Sequence, residues 1–169
     1  GFSSLRAAAL AAVAVFALLA SGAKAQDASR SVRAVPGDFH LRLTRGGCEG
    51  SCPIFEVDVD ARGRVLWTGR CFVRVKGKAT RTITTEALQS LLDGSRRSRI
   101  LSLSAGTHPC IDRPLVTVDL TESGRSISVG YCEGDITPES TRLLEFARQA
   151  EKVMADAAWL GDATDRRMR

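Results

Sequence analysis

Residues 116–131 read VTVDLTESGRSISVGY, and this stretch decides the predicted fold. Apolar residues occupy alternate positions from Val116 to Leu120 and again from Ile127 to Tyr131. A period of two is typical of strands that bury one face. The segment between the two runs contains serine and glycine, which favour a turn. The stretch therefore predicts a β-hairpin with one apolar and one polar face.

The same alternation occurs in the first half of the chain. Residues 39–44 predict one strand and residues 55–60 predict a second. Gly63 lies where a short hairpin loop requires a positive φ, so a third strand should follow it. This third strand either continues or bends at Gly69 into residues 71–75.

Two segments carry helix signals. Thr84 or Thr85 can cap a helix that ends near Gly94, and Thr137 followed by Pro138 begins another. The apolar face of this second helix comprises Leu143, Ala147, Ala150, Met154 and Ala157. Strands in hairpins without regular alternation with helices predict an α+β fold, in which two main helices pack on one face of an antiparallel sheet.

The N-terminal segment has the pattern of a signal peptide. Arg6 precedes an apolar run at residues 7–20, and Ala-Lys-Ala at residues 23–25 predicts cleavage before Gln26. The run is shorter than the roughly 20 residues that cross a bilayer, so no stable membrane insertion is expected after processing. The predicted organisation is a signal peptide at 1–25, a flexible leader at 26–38, a single α+β domain at 39–158 and a disordered basic tail at 159–169.

Charge and aromatic content argue against nucleic acid as a partner. The formal net charge is +5, but the basic residues are scattered except at residues 96–99 and 166–169. Such short clusters are typical of solvated helix ends and termini. Aromatic residues, at 5% of the chain, do not alternate with basic ones as base-stacking sites require. We expect no nucleic-acid partner, and the signal peptide predicts a periplasmic or secreted location.

The chain has five cysteines, which in a small exported domain predict disulfides with one thiol left over. If Leu120 faces Arg125 in the second hairpin, Cys132 lies opposite Arg113. Cys110 precedes that point by three residues, so a turn there would bring the two sulfurs within bonding reach. The predicted bridge is therefore Cys110–Cys132.

The other three cysteines allow two pairings. The predicted register of the first hairpin places Cys71 opposite Pro53 and beside Cys52. Cys48–Cys52 would close a tight local ring, whereas Cys71 bonded to either of them would link the loop to the neighbouring strand. The first pairing is slightly favoured, and it leaves Cys71 as a buried free thiol.

Residues 45–55 read RGGCEGSCPIF, between a predicted strand and a predicted hairpin. This run, with the later Asp-x-Pro segment, resembles the signature of a bacterial family called domain of unknown function 6438. The matching positions are Cys48, Gly50, Cys52, Pro53, Phe55, Asp112 and Pro114. The resemblance covers residues 39–155 and implies the same fold and export, but the family carries no established activity.

The favoured function is a non-catalytic, disulfide-stabilised envelope domain with a binding or structural role. Its partner would be an unidentified envelope protein or ligand, and no cofactor is expected. His40 lies on a predicted strand and His108 in a predicted loop, and neither completes a recognisable catalytic set. We therefore expect no enzymatic activity.

The main alternative is a thiol redox or soft-metal protein. Cys48 and Cys52 would act as redox thiols or hold copper or zinc, with Cys71 as a third ligand. In thioredoxin-like copper chaperones a helix follows a similar motif, whereas a strand is predicted here.

A third hypothesis is acid–base catalysis. The candidate acids are Asp58, Asp60, Asp112 and Asp135. These carboxylates more simply solvate a strand face and turns, because no base is paired with a nucleophile. At residues 108–112, which read HPCID, a disulfide at Cys110 is favoured over a metal cluster.

Overall fold

Seven strands form one sheet. In the computed structural model, which describes residues 34–162, the strands are β1 (His40–Arg45), β2 (Ile54–Asp60), β3 (Arg64–Cys71), β4 (Gly77–Thr82), β5 (Gly106–Thr107), β6 (Leu115–Glu122) and β7 (Arg125–Cys132). Their order is β4-β3-β2-β1-β6-β7-β5. Every neighbouring pair is antiparallel except β5 and β7. The α+β class is confirmed, but a wholly antiparallel sheet is wrong, because the short β5 joins the edge from a loop.

One face of the sheet carries the core. Every second side chain of β2 and β6 is buried, as are Leu41 and Leu43 of β1, which the alternating sequence predicted. Phe55 and Trp67 stack there with ring centroids 4.7 Å apart. The largest fully buried side chains include Trp67, Phe39, Phe55, Phe146, Leu41 and Leu43. The opposite face is polar and partly exposed, because residues such as Arg42 and Asp58 point away from the core.

The two main helices are α1 (Thr85–Arg97) and α2 (Pro138–Met154). Thr84 caps α1 and Thr137 caps α2, each through a side-chain oxygen that accepts a backbone N–H. The predicted end of α1 at Gly94 is wrong. Gly94 is buried against α2, where a Cβ would lie 3.3 Å from Phe146, so this glycine permits close helix packing instead of ending the helix.

The predicted strand at residues 71–75 is also wrong. β3 runs through Gly69 to Cys71, and the chain then turns before β4. The carbonyl of Val75 accepts a 2.9 Å hydrogen bond from the Trp67 indole N–H, which folds the turn back over β3. A Cβ on Gly69 would overlap that same carbonyl. Only glycine allows so close an approach.

The β6–β7 hairpin forms as predicted, but its register differs by two residues. Glu122, not Leu120, faces Arg125. The turn consists of Ser123 and Gly124 alone, with φ values of 51° and 74°. Positive φ at both central residues fits the twist of a two-residue hairpin. The longer loop assumed from the sequence is therefore incorrect.

Residues before Phe39 also contact the domain. Val35 packs against the core, and both Asp38 carboxylate oxygens accept hydrogen bonds from the turn N–H groups of Ser123 and Gly124. Val35 and Asp38 thus pack with the domain through their side chains. The predicted signal peptide at residues 1–25 lies outside the described residues.

Residues after 158 also contact the core. After α2, a short helix α3 (Ala157–Leu160) begins with Asp156 as its cap, so Ala157 does not extend the face of α2. Trp159 packs beside Trp67 with ring centroids 5.9 Å apart. The rest of the predicted tail, from residue 163, lies outside the described residues. Within residues 34–162, no helix has both the length and the apolar content needed to span a membrane.

Candidate functional site

All five cysteines lie at one end of the sheet. They are Cys48 and Cys52 in the β1–β2 loop, Cys71 at the end of β3, Cys110 after β5, and Cys132 at the end of β7. The registers align these positions, because Cys71 pairs with Ile54 and Cys132 pairs with Leu115. We call this end of the sheet the cysteine end. The opposite end, which contains the β2–β3 and β6–β7 turns, is called the turn end.

Two disulfides hold the loops of the cysteine end. Cys48 is bonded to Cys52, with Cα atoms 5.8 Å apart, and Cys110 to Cys132, with Cα atoms 5.6 Å apart. These are the pairs that the sequence favoured, although Cys132 lies two positions further along β6 than the predicted register placed it. The first bond closes the loop on itself, and the second joins the segment after β5 to the end of β7.

Cys71 is the remaining cysteine and carries a free thiol. The expectation that it is buried is wrong, because its side chain is exposed. The register of β2 and β3 shifts between Ile54 and Phe55, so Cys71 pairs with Ile54 instead of Pro53. Its thiol therefore lies at the surface of the cysteine end, near the loop that contains Cys52.

The alternative metal site needs Cys48, Cys52 and Cys71 as thiolates. Two of them are joined to each other, and a disulfide offers no thiolate to a metal. Across residues 34–162, no three His, Cys, Asp or Glu side chains lie close enough together to hold a metal ion. The geometry at this end therefore gives the metal alternative no support.

Arg45 lies at the centre of the cysteine end. Its side chain is only 12% exposed and bonds to Glu133 at 3.0 Å and to Glu151 at 3.0 Å. Burial opposes the charge, but the two carboxylates outweigh it and raise the pKa of the Arg45 guanidinium above its ordinary value. The residue thus joins β1 to α2 and to the segment after β7 as a permanent cation.

A cleft of about 350 Å³ opens beside Arg45. Its lining comprises Arg45, Ser51, Cys52, Pro53, Pro114, Glu133, Arg148, Glu151 and Leu160. A neighbouring recess of about 240 Å³ shares Arg45, Glu133 and Arg148 with it. Arg148 is exposed and forms no ion pair with any residue that the structure describes. The cleft therefore combines a free cation, two partly neutralised acids and apolar walls.

Three of the cleft residues, Cys52, Pro53 and Pro114, belong to the signature noted in the sequence. The chain matches the family described as Domain of unknown function (DUF6438) over residues 39–151, which is more than half of its length. The chain belongs to this family. No curated protein matches it.

In this DUF6438 domain the predicted catalytic acids are separated and have structural contacts. Asp60 accepts hydrogen bonds from the N–H groups of Arg62 and Arg64 at the turn end. Asp135 accepts one from the Cys132 N–H at the cysteine end. Asp58 contacts His40 and Arg42 on the polar sheet face, and Asp112 is an exposed loop residue. The four acids do not assemble into one site.

His108 does not form the predicted alternative cluster with Cys110 and Asp112, because Cys110 is in a disulfide. Its ring is exposed and lies 6.1 Å from the Tyr131 ring. Burial, then the hydrogen bond and charge of Glu139, raise the pKa of Tyr131, so this hydroxyl remains a donor at neutral pH.

Four residues of this site were not predicted from the sequence: Arg45, Glu133, Arg148 and Glu151. The sequence does contain a sign of Arg45, because this residue continues the two-residue spacing of Leu41 and Leu43. It therefore occupies a core position of β1. Charged residues at buried positions are nearly always paired. Glu151 borders the apolar face of α2, but only the tertiary structure brings it to Arg45.

Proposed function

We propose that this DUF6438 chain is an exported, disulfide-stabilised domain of the bacterial envelope that binds a partner without catalysing a reaction. The observation that carries the proposal is the pair of disulfides at the cysteine end, because such bonds persist in oxidising compartments. The signal-peptide pattern at residues 1–25 points to the same compartment.

The cysteine-end cleft is the proposed binding surface. Cys48–Cys52 and Cys110–Cys132 fix the loops around it, and a fixed loop loses less conformational entropy when a partner binds. Arg148 offers an unpaired charge at the rim, while Pro53 and Pro114 offer apolar contact. We expect a segment of another envelope protein that carries an acidic residue beside an apolar one.

Thiol counting and fractionation test the compartment. We expect the chain from the bacterial envelope fraction to lack the signal peptide and to react with one equivalent of maleimide when denatured without reductant. After reduction, five cysteines should react. Three reactive thiols before reduction, or an uncleaved chain in the cytosol, would contradict the proposal.

Site-specific photo-cross-linking tests the binding surface. A photoreactive residue at Ser51, on the rim of the cleft, should capture an envelope protein in the native host, and Arg148→Glu should abolish that product. The same probe at Ser126, exposed on β7, is the matched control and should capture nothing. Equal products at both positions, or insensitivity to Arg148→Glu, would exclude the cleft as the binding surface.

Thiol–disulfide exchange is a second candidate, favoured by the exposed Cys71 near Cys52. The Cys71 thiolate would attack Sγ of Cys52, a Cys52–Cys71 bond would form, and Cys48 would leave as a thiolate, so no oxidant is consumed. Disulfide mapping after incubation at mildly alkaline pH tests this step. A Cys52–Cys71 peptide supports exchange, and its absence leaves the cysteines with a structural role only.

A further inference from the structure

A second cleft lies at the turn end, far from the cysteines. Its volume is about 270 Å³, and it is bounded by the end of α1, the 3₁₀ helix at Ile100–Ser102 and the β6–β7 turn. The partly exposed Leu101 forms an apolar floor, and the neighbouring Ile100 and Leu120 are almost fully buried. Three arginines, Arg96, Arg99 and Arg125, line the walls.

The charges in this cleft do not cancel. Glu122 is only 6% exposed and is paired with Arg96, whose Nε lies 2.6 Å from a carboxylate oxygen. Arg125 donates a hydrogen bond to the Leu101 carbonyl, which is uncharged. Within residues 34–162, no carboxylate forms an ion pair with Arg99 or Arg125. Two guanidinium groups beside an apolar floor thus remain without a counter-charge.

Arg99 can be replaced without destabilising the fold. It follows α1 in the left-handed conformation, with φ 52° and ψ 44°, at a position where helices commonly have glycine. A side chain disfavours this backbone conformation. Replacing Arg99 with glycine should therefore remove the charge while relieving the backbone, so a loss of binding could not be attributed to unfolding.

We propose that the turn-end cleft binds a phosphate monoester that carries a short apolar group. A phosphate monoester has close to two negative charges at neutral pH, which matches the two unpaired arginines. The planar guanidinium groups would each donate paired hydrogen bonds to the phosphate oxygens. Leu101 would contact the apolar group. The proposal is independent of the cysteine-end cleft.

Calorimetric titration of the purified chain with phenyl phosphate tests the site. We expect one bound equivalent of phenyl phosphate. Arg99→Gly and Arg125→Ala should each bind it at least about tenfold more weakly, because each variant loses a charge-assisted hydrogen bond. Arg99→Gly should also raise the urea midpoint of unfolding. Arg70→Ala, exposed at the cysteine end, is the matched control and should bind as the wild type does.

Two further probes separate the charge from the apolar contact. Inorganic phosphate lacks the apolar group and benzoate lacks the second charge, so both should bind more weakly than phenyl phosphate. Equal affinity for inorganic phosphate would overturn the assignment of an ester, and equal affinity for benzoate would overturn the requirement for a dianion. Absence of phenyl phosphate binding, or unchanged binding by Arg99→Gly and Arg125→Ala, would overturn the site itself.

Discussion

The two ends of the sheet are closed by different chemistry. At the turn end, short turns connect neighbouring strands, and the carboxylates of Asp38 and Asp60 accept hydrogen bonds from turn N–H groups. At the cysteine end, longer loops are held by two disulfides and by the ion pairs of Arg45. A short turn is maintained by local backbone preferences, whereas a longer loop requires contacts between residues distant in sequence.

Both ends place one charged side chain at a core position of a strand. Arg45 ends β1 and Glu122 ends β6, each in line with the buried apolar residues before it. The counter-ion of Arg45 is Glu151 on α2, and the counter-ion of Glu122 is Arg96 on α1. A polar cleft lies beside each pair, so the ends of the strands, not the sheet faces, carry the candidate binding sites.

Removing Cys110–Cys132 should have the largest effect on stability. The double substitution Cys110→Ser with Cys132→Ser should lower the free energy of unfolding by about 3 kcal/mol, because the bond spans 22 positions. The matched pair Cys48→Ser with Cys52→Ser spans only 4 positions and should cost about 2 kcal/mol. Urea denaturation measures both. The opposite ranking would show that local strain, not loop closure, dominates at the cysteine end.

Arg45→Ala should be the next most harmful change. It leaves Glu151, whose side chain is 19% exposed, without its cation, so we expect a loss of about 2 kcal/mol. Arg42→Ala is the control, since that side chain is 39% exposed on the polar face and its ion pairs are worth less than about 1 kcal/mol. Equal midpoints of urea denaturation for the two variants would contradict a central role for Arg45.

At the turn end, a single added methyl group should weaken the fold. Gly124 has φ 74° and open space around it, so Gly124→Ala introduces backbone strain alone and should cost roughly 1 kcal/mol. Gly37→Ala is the control, because Gly37 has equally open surroundings and no left-handed φ. Thermal or urea unfolding would compare them. A stable Gly124→Ala would mean that the turn can change type without moving the strands.

Much of the fold was predictable from the sequence because alternation reports burial directly. The strands at Val57 and Val118 and the cap at Thr137 depend on neighbours in sequence, and all were predicted, while Thr84 was one of two candidate caps for α1. The strand expected at residues 71–75 failed because Val75 bonds to Trp67 across the turn, a contact that no local pattern encodes.

The candidate sites were less predictable. Cys48–Cys52 was favoured as a tight local ring and Cys110–Cys132 from the predicted hairpin. No local pattern predicts the register shift at Ile54 or the exposure of Cys71. Arg45 at a core position was a visible irregularity, while its partners Glu133 and Glu151 come from elements more than 80 residues away. Pairing between distant charges requires the packed structure.

The smallest expected effect is a change in how the turn end responds to acid. Hydrogen bonds from the N–H groups of Gly124 and Ser123 lower the pKa of Asp38 below its ordinary value of 3.8. This carboxylate therefore stabilises the fold above its unfolded pKa, and the contribution is lost as pH falls through the lower folded pKa.

Asp38→Asn should accordingly lower the urea midpoint at neutral pH, and the difference from the wild type should shrink at a pH low enough to protonate Asp38 in the folded state. Asp112→Asn, at an exposed position of the cysteine end, is the control and should leave the midpoint unchanged at both values. The disulfides of the cysteine end do not titrate. An Asp38→Asn difference that stays constant with pH would mean that the side chain acts through its shape and not through its charge.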